Sequence, residues 1–137
     1  LGDPTMDGDA SGQCFATGLA QGDDVGGGVA HLTSPALDAT QGDAWVHWYQ
    51  WFSNDAGGQQ SDWMLVEISN DDGDTWTTIE QVGPFGDDTM GGWKHRQHRV
   101  ADFVTPTDQV RVRFSPRDNG PETIVESAID CFKLLTS

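Results

Sequence analysis

Basic residues are scarce in this chain. Seven Lys and Arg stand against 22 Asp and Glu, a formal charge of −15. Such a field repels polyanions, so nucleic acid and an anionic membrane surface are not expected as partners. It suits a cation-binding protein, and it equally suits a surface kept soluble by like charge. The seven bases all follow Gly92, which concentrates negative charge in the first two thirds of the sequence. Long apolar runs are missing as well, and no stretch reads as a membrane-spanning helix. The chain begins at Leu1 and reads as a trimmed mature domain or a fragment.

Helical patterning is also absent. No window of about a dozen residues carries an apolar stripe at i, i+3, i+4, i+7. Catalytic signatures are missing too: there is no G-x-S-x-G elbow and no H-E-x-x-H. His95 and His98 are three apart, which places them on opposite faces of a strand and argues against a zinc pair. Pairs of carboxylates are uninformative where 22 acids are available. The chain is therefore not expected to be an enzyme.

What the sequence does contain is period-two alternation between turn signals. The 137 residues fit one domain. Residues 1–12 form an irregular acidic lead-in, and 13–137 a single β-domain. Strands are expected from Cys14 to Leu19, Val29 to Thr33, Ala44 to Phe52, Trp63 to Ser69, Trp76 to Val82, Trp93 to Val100, Gln109 to Ser115 and Ile124 to Leu134. The Asp-Gly step at 72–73 supplies the φ > 0 geometry of a hairpin turn. Short strands at regular spacing mark an antiparallel sandwich or barrel.

Several pieces, in order, carry a further pattern: LTSPALD (32–38), WYQWFSNDAG (48–57), VEISNDDGDTWTTIE (66–80), HRVADFV (98–104), QVRVRFSPRD (109–118) and IVESAIDCFKL (124–134). Taken together, they resemble the jelly-roll accessory domains of secreted bacterial hydrolases. They are similar to MAM-like and cleaved-adhesin domains and, more loosely, to calcium-containing carbohydrate-binding modules. The resemblance implies an all-β, two-sheet antiparallel jelly roll of about eight strands. It further implies a secreted, non-catalytic companion to an enzyme, with polysaccharide or the catalytic domain of its own parent protein as partner. An adhesive or interdomain docking module is the alternative. A monomer is expected.

Candidate sites follow. Cys14 and Cys131 lie near opposite ends without a CxxC partner. They read as a disulfide joining the first strand to the last in an oxidising compartment, or as two free buried thiols. Asp7-x-Asp9-x-Ser11-Gly12 has the first half of a calcium-loop spacing, and otherwise is an acidic tail. The resembled modules place a metal beside the last strand. That implies Ca2+ at Asp130 with Asp24 and Asp23, where an Arg or backbone N–H groups are the other partners open to a buried carboxylate. Asp55 with Asp62 flank a glycine loop and are a third pair, equally suited to Asx turns.

In Ala44 to Phe52, Trp45, His47, Tyr49 and Trp51 share one face, and Val46, Trp48, Gln50 and Phe52 the other. Either set is fit to be core. An exposed row of rings would cover the apolar faces of sugars while polar neighbours bond their hydroxyls. On this reading Tyr49, Trp51 and Trp93 are candidate rings. Gln50, Arg111, Arg113 and Glu126 are candidate polar partners, with Glu67, His95 and Gln97. Arg113 and Glu126 are alternatively a cross-strand ion pair.

Overall fold

The computed structural model describes residues 15–16, 28–57, 61–118 and 123–136. The strands are β1 (Phe15–Ala16), β2 (Gly28–Val29), β3 (Leu32–Thr33), β4 (Ala44–Gly57), β5 (Trp63–Ser69), β6 (Thr77–Val82), β7 (Lys94–Arg99), β8 (Arg111–Asp118) and β9 (Thr123–Thr136). Two 3₁₀ turns, Asp87–Thr89 and Val100–Asp102, are the helical elements among the described residues.

The strands form two antiparallel sheets. The first has the order β1-β9-β4-β7, and the second β2-β8-β5-β6, with β3 joining β2 along the same side of β8. Counted as one interrupted strand, β2 and β3 bring the total to eight. The sheets then read 1-8-3-6 and 2-7-4-5, which is jelly-roll order.

Alternation packs the sheets face to face. Val46, Trp48 and Phe52 of β4 meet Met64, Val66 and Ile68 of β5 and Val112 and Phe114 of β8 in one core. The Trp48 ring stands edge-on to Phe114 at 5.2 Å and lies 6.5 Å from Phe132. Its indole Nε1–H donates to Gln50 Oε1 at 2.8 Å, so the buried donor has a partner within the core.

A bulge interrupts β9. His47 pairs with Lys133 and Tyr49 with Asp130, so Cys131 and Phe132 together oppose Trp48. Cys131 takes φ 51°, the left-handed conformation typical of a bulge residue. Its N–H donates to the Asp130 carboxylate at 2.7 Å. The extra residue changes the phase of the strand: Ile129 faces the core before the bulge, and Phe132 and Leu134 face it afterwards.

The hairpin between β5 and β6 turns through Asp72 (φ 62°) and Gly73 (φ 96°), as the Asp-Gly step requires. Hydrogen bonds from Ser69 and Thr75 hold the Asp71 carboxyl down to about 2.

Where β6 and β7 approach at the side of the sandwich, Glu80 bridges the two sheets. Its Oε2 accepts from Arg96 at 2.8 Å and lies 2.9 Å from His98 Nε2. The His98 ring stacks on Trp48 at 5.4 Å. Burial pushes the Glu80 carboxyl up, but the hydrogen bonds of His98 and Arg96 and their charge outweigh it, and the net shift is downward. A lowered carboxylate stabilises the fold fully above its ordinary value of 4.5, and that contribution is lost as pH falls through the lowered one. Glu80→Gln is expected to cost about 1–3 kcal/mol at pH 7 and to flatten the loss of stability on acidification below pH ~4.5. Thermal melts across pH would show this, and coincident wild-type and variant profiles would contradict it.

Candidate functional site

The alternation of β4 decides which rings are left outside. Ala44, Val46, Trp48, Gln50 and Phe52 are buried, while Trp45, His47, Tyr49 and Trp51 are half-exposed on the outer face of the first sheet. On β7, Arg99, Gln97 and His95 stand opposite Trp45, His47 and Tyr49, and so share that face. On β9, Leu135 and Lys133 stand opposite Trp45 and His47. The result is a track of side chains across three strands.

The rings contact one another in two groups, His47–His95–Tyr49 and Trp51–Trp93. His95 lies 5.7 Å from His47 and 5.1 Å from Tyr49, centre to centre. Trp51 and Trp93 meet edge to face at 6.0 Å. Trp51 rests on the backbone of Gly91, where a Cβ would sit 2.9 Å from Cζ2. Gly91 has φ 76°, and its N–H donates to the Phe52 carbonyl at 2.9 Å, so the loop is tied to the end of the ring row. At the other end a shallow groove of about 390 Å³ is lined by Asp43, Trp45, His47, Gln97, Leu135 and Thr136. There Asp43 accepts from Arg99 Nε at 2.6 Å and from Trp45 Nε1 at 3.3 Å, which fixes the indole at the groove wall. Burial, with the charges of His95 and Lys133, lowers the pKa of His47 below its ordinary value.

The structure thus brings Tyr49, Trp51 and Trp93 onto one face with His95 and Gln97, and separates them from Gln50, Arg111, Arg113 and Glu67. Gln50 is 1% exposed and faces the core, because its place in the alternation sends its amide to the Trp48 indole. It is not available to a ligand. Arg111 and Arg113 stand on the outer face of the opposite sheet, since β8 belongs to that sheet and its Val112 and Phe114 point inward. Arg111 is held by Asp72 at 2.7 Å and the Ser34 carbonyl at 2.8 Å. Arg113 pairs with Glu67 at 3.0 Å, and its guanidinium lies 4.1 Å over the Trp76 ring. Glu126 stands opposite Ser53 in the backbone register, and its side chain lies outside the described part.

No family model matches the sequence, and no curated protein does. Among solved structures, one to which the chain is similar is the carbohydrate-binding module TmCBM61 in complex with β-1,4-galactotriose, with a TM-score of 0.43 and 18% identity. The match covers 80% of this chain and 61% of that one, less than two thirds of its length.

Of the expected metal ligands, Asp130 is placed: it is 7% exposed, and its Oδ1 accepts the Cys131 N–H at 2.7 Å. Asp7, Asp9, Asp23 and Asp24 lie outside the described residues, as does Cys14. Among the described residues, no three His, Cys, Asp or Glu converge on one point. Asp62 is buried near the loop after β4, where Asn54 Nδ2 donates to its backbone carbonyl at 2.9 Å. Asp55 lies in β4, and its side chain is outside the described part.

Asp43, Lys133, Leu135 and Thr136 also belong to this face and carry no motif that marks them in the sequence. Only the bulge at Cys131 sends Lys133 and Leu135 outward.

Gly91→Ala is expected to displace Trp51, through the 2.9 Å approach to Cζ2 and through φ 76°. Gly92→Ala shares the positive φ but meets nothing within 4 Å, so it carries the backbone cost alone. The Trp51 indole resonance should shift in the first variant and stay in place in the second. An unmoved resonance in Gly91→Ala would contradict the contact.

Proposed function

We propose that this protein is a non-catalytic glycan-binding module, which takes a polysaccharide chain along β4 on the outer face of the β1-β9-β4-β7 sheet. The observation that carries the reading is the row of half-exposed rings, Trp45, His47, Tyr49 and Trp51, continued by Trp93. At roughly 3.3 Å per residue, Trp45 to Trp51 spans about 20 Å, enough for several pyranose rings. Indole and phenol rings cover the apolar faces of sugars and lose little conformational entropy in doing so. Gln97, His95, Tyr49 and Lys133 supply hydrogen-bonding groups beside them. The outer face of the other sheet favours the reading by contrast, because its Arg111 and Arg113 are engaged by Asp72, Glu67 and Trp76 within the protein itself.

In affinity electrophoresis against a polysaccharide panel, wild-type protein should be retarded. Trp51→Ala should weaken binding at least tenfold, on the order of 1.4 kcal/mol, with the fold intact by circular dichroism. Arg113→Gln should bind like wild type. Equal loss in both variants, or none in Trp51→Ala, would move the site elsewhere.

Secretion beside a hydrolase and stabilisation by calcium belong to the same proposal. Asp130 supplies one buried carboxylate next to β1, at the start of the chain's described part. Calcium takes six to eight oxygens, so Asp24 and Asp23 are the residues assigned to join Asp130, and the Asp7-x-Asp9-x-Ser11-Gly12 loop is a separate candidate for an ion of its own. An ion bound only by the folded state stabilises in proportion to the logarithm of its concentration. Chelation should therefore lower the melting temperature, added Ca2+ should restore it, and Asp130→Asn should remove the response. A melting temperature indifferent to chelator and to Ca2+ would remove calcium from the account.

A further inference from the structure

We infer that the glycan taken by this face is acidic, with a pyranose carboxylate meeting Lys133 on the strand beside His47. This rests on the glycan-binding reading of the same face and adds the class of sugar.

The argument begins with charge pairing. In a chain with 22 acids and 7 bases, a base should readily find a carboxylate. Arg96 finds Glu80, Arg99 finds Asp43 and Asp102, Arg111 finds Asp72, and Arg113 finds Glu67. Lys94 and Arg117 make no ion pair among the described residues; neither stands on the outer ring face, since Lys94 lies opposite the inward Gln50 and Arg117 lies over Trp63 on the other sheet. Lys133 is exposed, stands in the middle of the ring-bearing face, and makes no ion pair among the described residues. The register sets Lys133, His47 and Gln97 abreast on β9, β4 and β7. Neighbouring strands lie about 4.8 Å apart, so three hydrogen-bonding side chains cross the track in one line. Trp45 stands on one side of that line and Tyr49, with His95, on the other.

Two carboxylates border the line, and both are engaged. Asp43 is held by Arg99 at 2.6 Å. Asp130 is buried and accepts from the Cys131 N–H. Lys133 is therefore the cation at the centre of the track that no carboxylate pairs among the described residues. Lys133 stands close to His47, whose pKa is lowered by burial first and then by the neighbouring His95 and Lys133. The net charge of −15 acts from farther away. At about 0.15 M salt the Debye length is about 8 Å, so the nearest groups decide. A lysine is a compact point charge fitted to a carboxylate, and the flanking rings are fitted to the pyranose that carries it.

The test uses uronate polymers (pectate, alginate and a glucuronan), their carboxyl-reduced counterparts and a sulfated galactan. Each is assayed at 0.15 M salt by affinity electrophoresis and calorimetry with wild type, Lys133→Gln and Trp51→Ala. At least one uronate polymer should bind, and its carboxyl-reduced form should bind about fivefold more weakly, as loss of one exposed charge pair implies. Lys133→Gln should erase that difference, and Trp51→Ala should weaken both forms. Equal binding of acidic and reduced polymers, unchanged by Lys133→Gln, would overturn the acidic class and leave the ring track standing. Binding of the sulfated galactan without any uronate polymer would overturn the carboxylate. Binding of no polymer at all would overturn both readings.

Discussion

One strand carries two surfaces at once, and the rest of the molecule depends on how it divides them. β4 pairs with β9 along one side and β7 along the other, so its backbone polar groups are engaged in the sheet and its side chains are committed by parity. The inward set places Val46, Trp48 and Phe52 in the core. Gln50, between them, accepts the Trp48 indole proton on its Oε1, which gives that buried donor its partner. The outward set is then fixed without further choice: Trp45, His47, Tyr49 and Trp51 must face away from the core. A slip of one residue would exchange the two sets entirely.

Around that strand the two outer faces of the sandwich have different chemical fates. On the β8 side, cations are consumed internally: Arg111 by Asp72 and Ser34, Arg113 by Glu67 and Trp76. On the β4 side, rings contact rings, and the carboxylates nearest them are held by Arg99 or by a backbone N–H. The bulge at Cys131 contributes to this asymmetry. By changing the phase of β9 it returns Phe132 and Leu134 to the core and sends Lys133 outward beside His47. Glu80, with Arg96 and His98, ties β6 to β7 where the two sheets meet at the side, so the ring-bearing sheet is anchored to its partner by charge as well as by packing.

The strands and the jelly-roll class were legible because alternation between turn signals is a local property. Trp63 to Ser69 is a strand over the expected span, and the Asp-Gly turn lies where its φ requirement puts it. The orientation of Ala44 to Phe52 was not legible, because each parity class holds two or more rings and at least one polar group. Deciding between them takes the Trp48–Gln50 pairing, which only the folded core reveals. Gln50 reads as a sugar-binding amide for the same reason. Arg111 and Arg113 alternate as outward residues should, but the sheet they belong to depends on the crossover order, which no local spacing encodes. Lys133 is hidden behind a bulge at a non-glycine residue, and bulges at residues other than glycine leave little trace in composition.

The division of β4 into a buried face and a binding face is open to one direct measurement, the indole N–H region of a ¹H–¹⁵N spectrum recorded during titration with a bound oligosaccharide. The account predicts that the Trp45, Trp51 and Trp93 resonances move, and that Trp48, whose N–H is held by Gln50 in the core, stays in place and exchanges slowly with solvent. Shifts confined to Trp63 and Trp76 on the opposite sheet, or a rapidly exchanging Trp48, would contradict it.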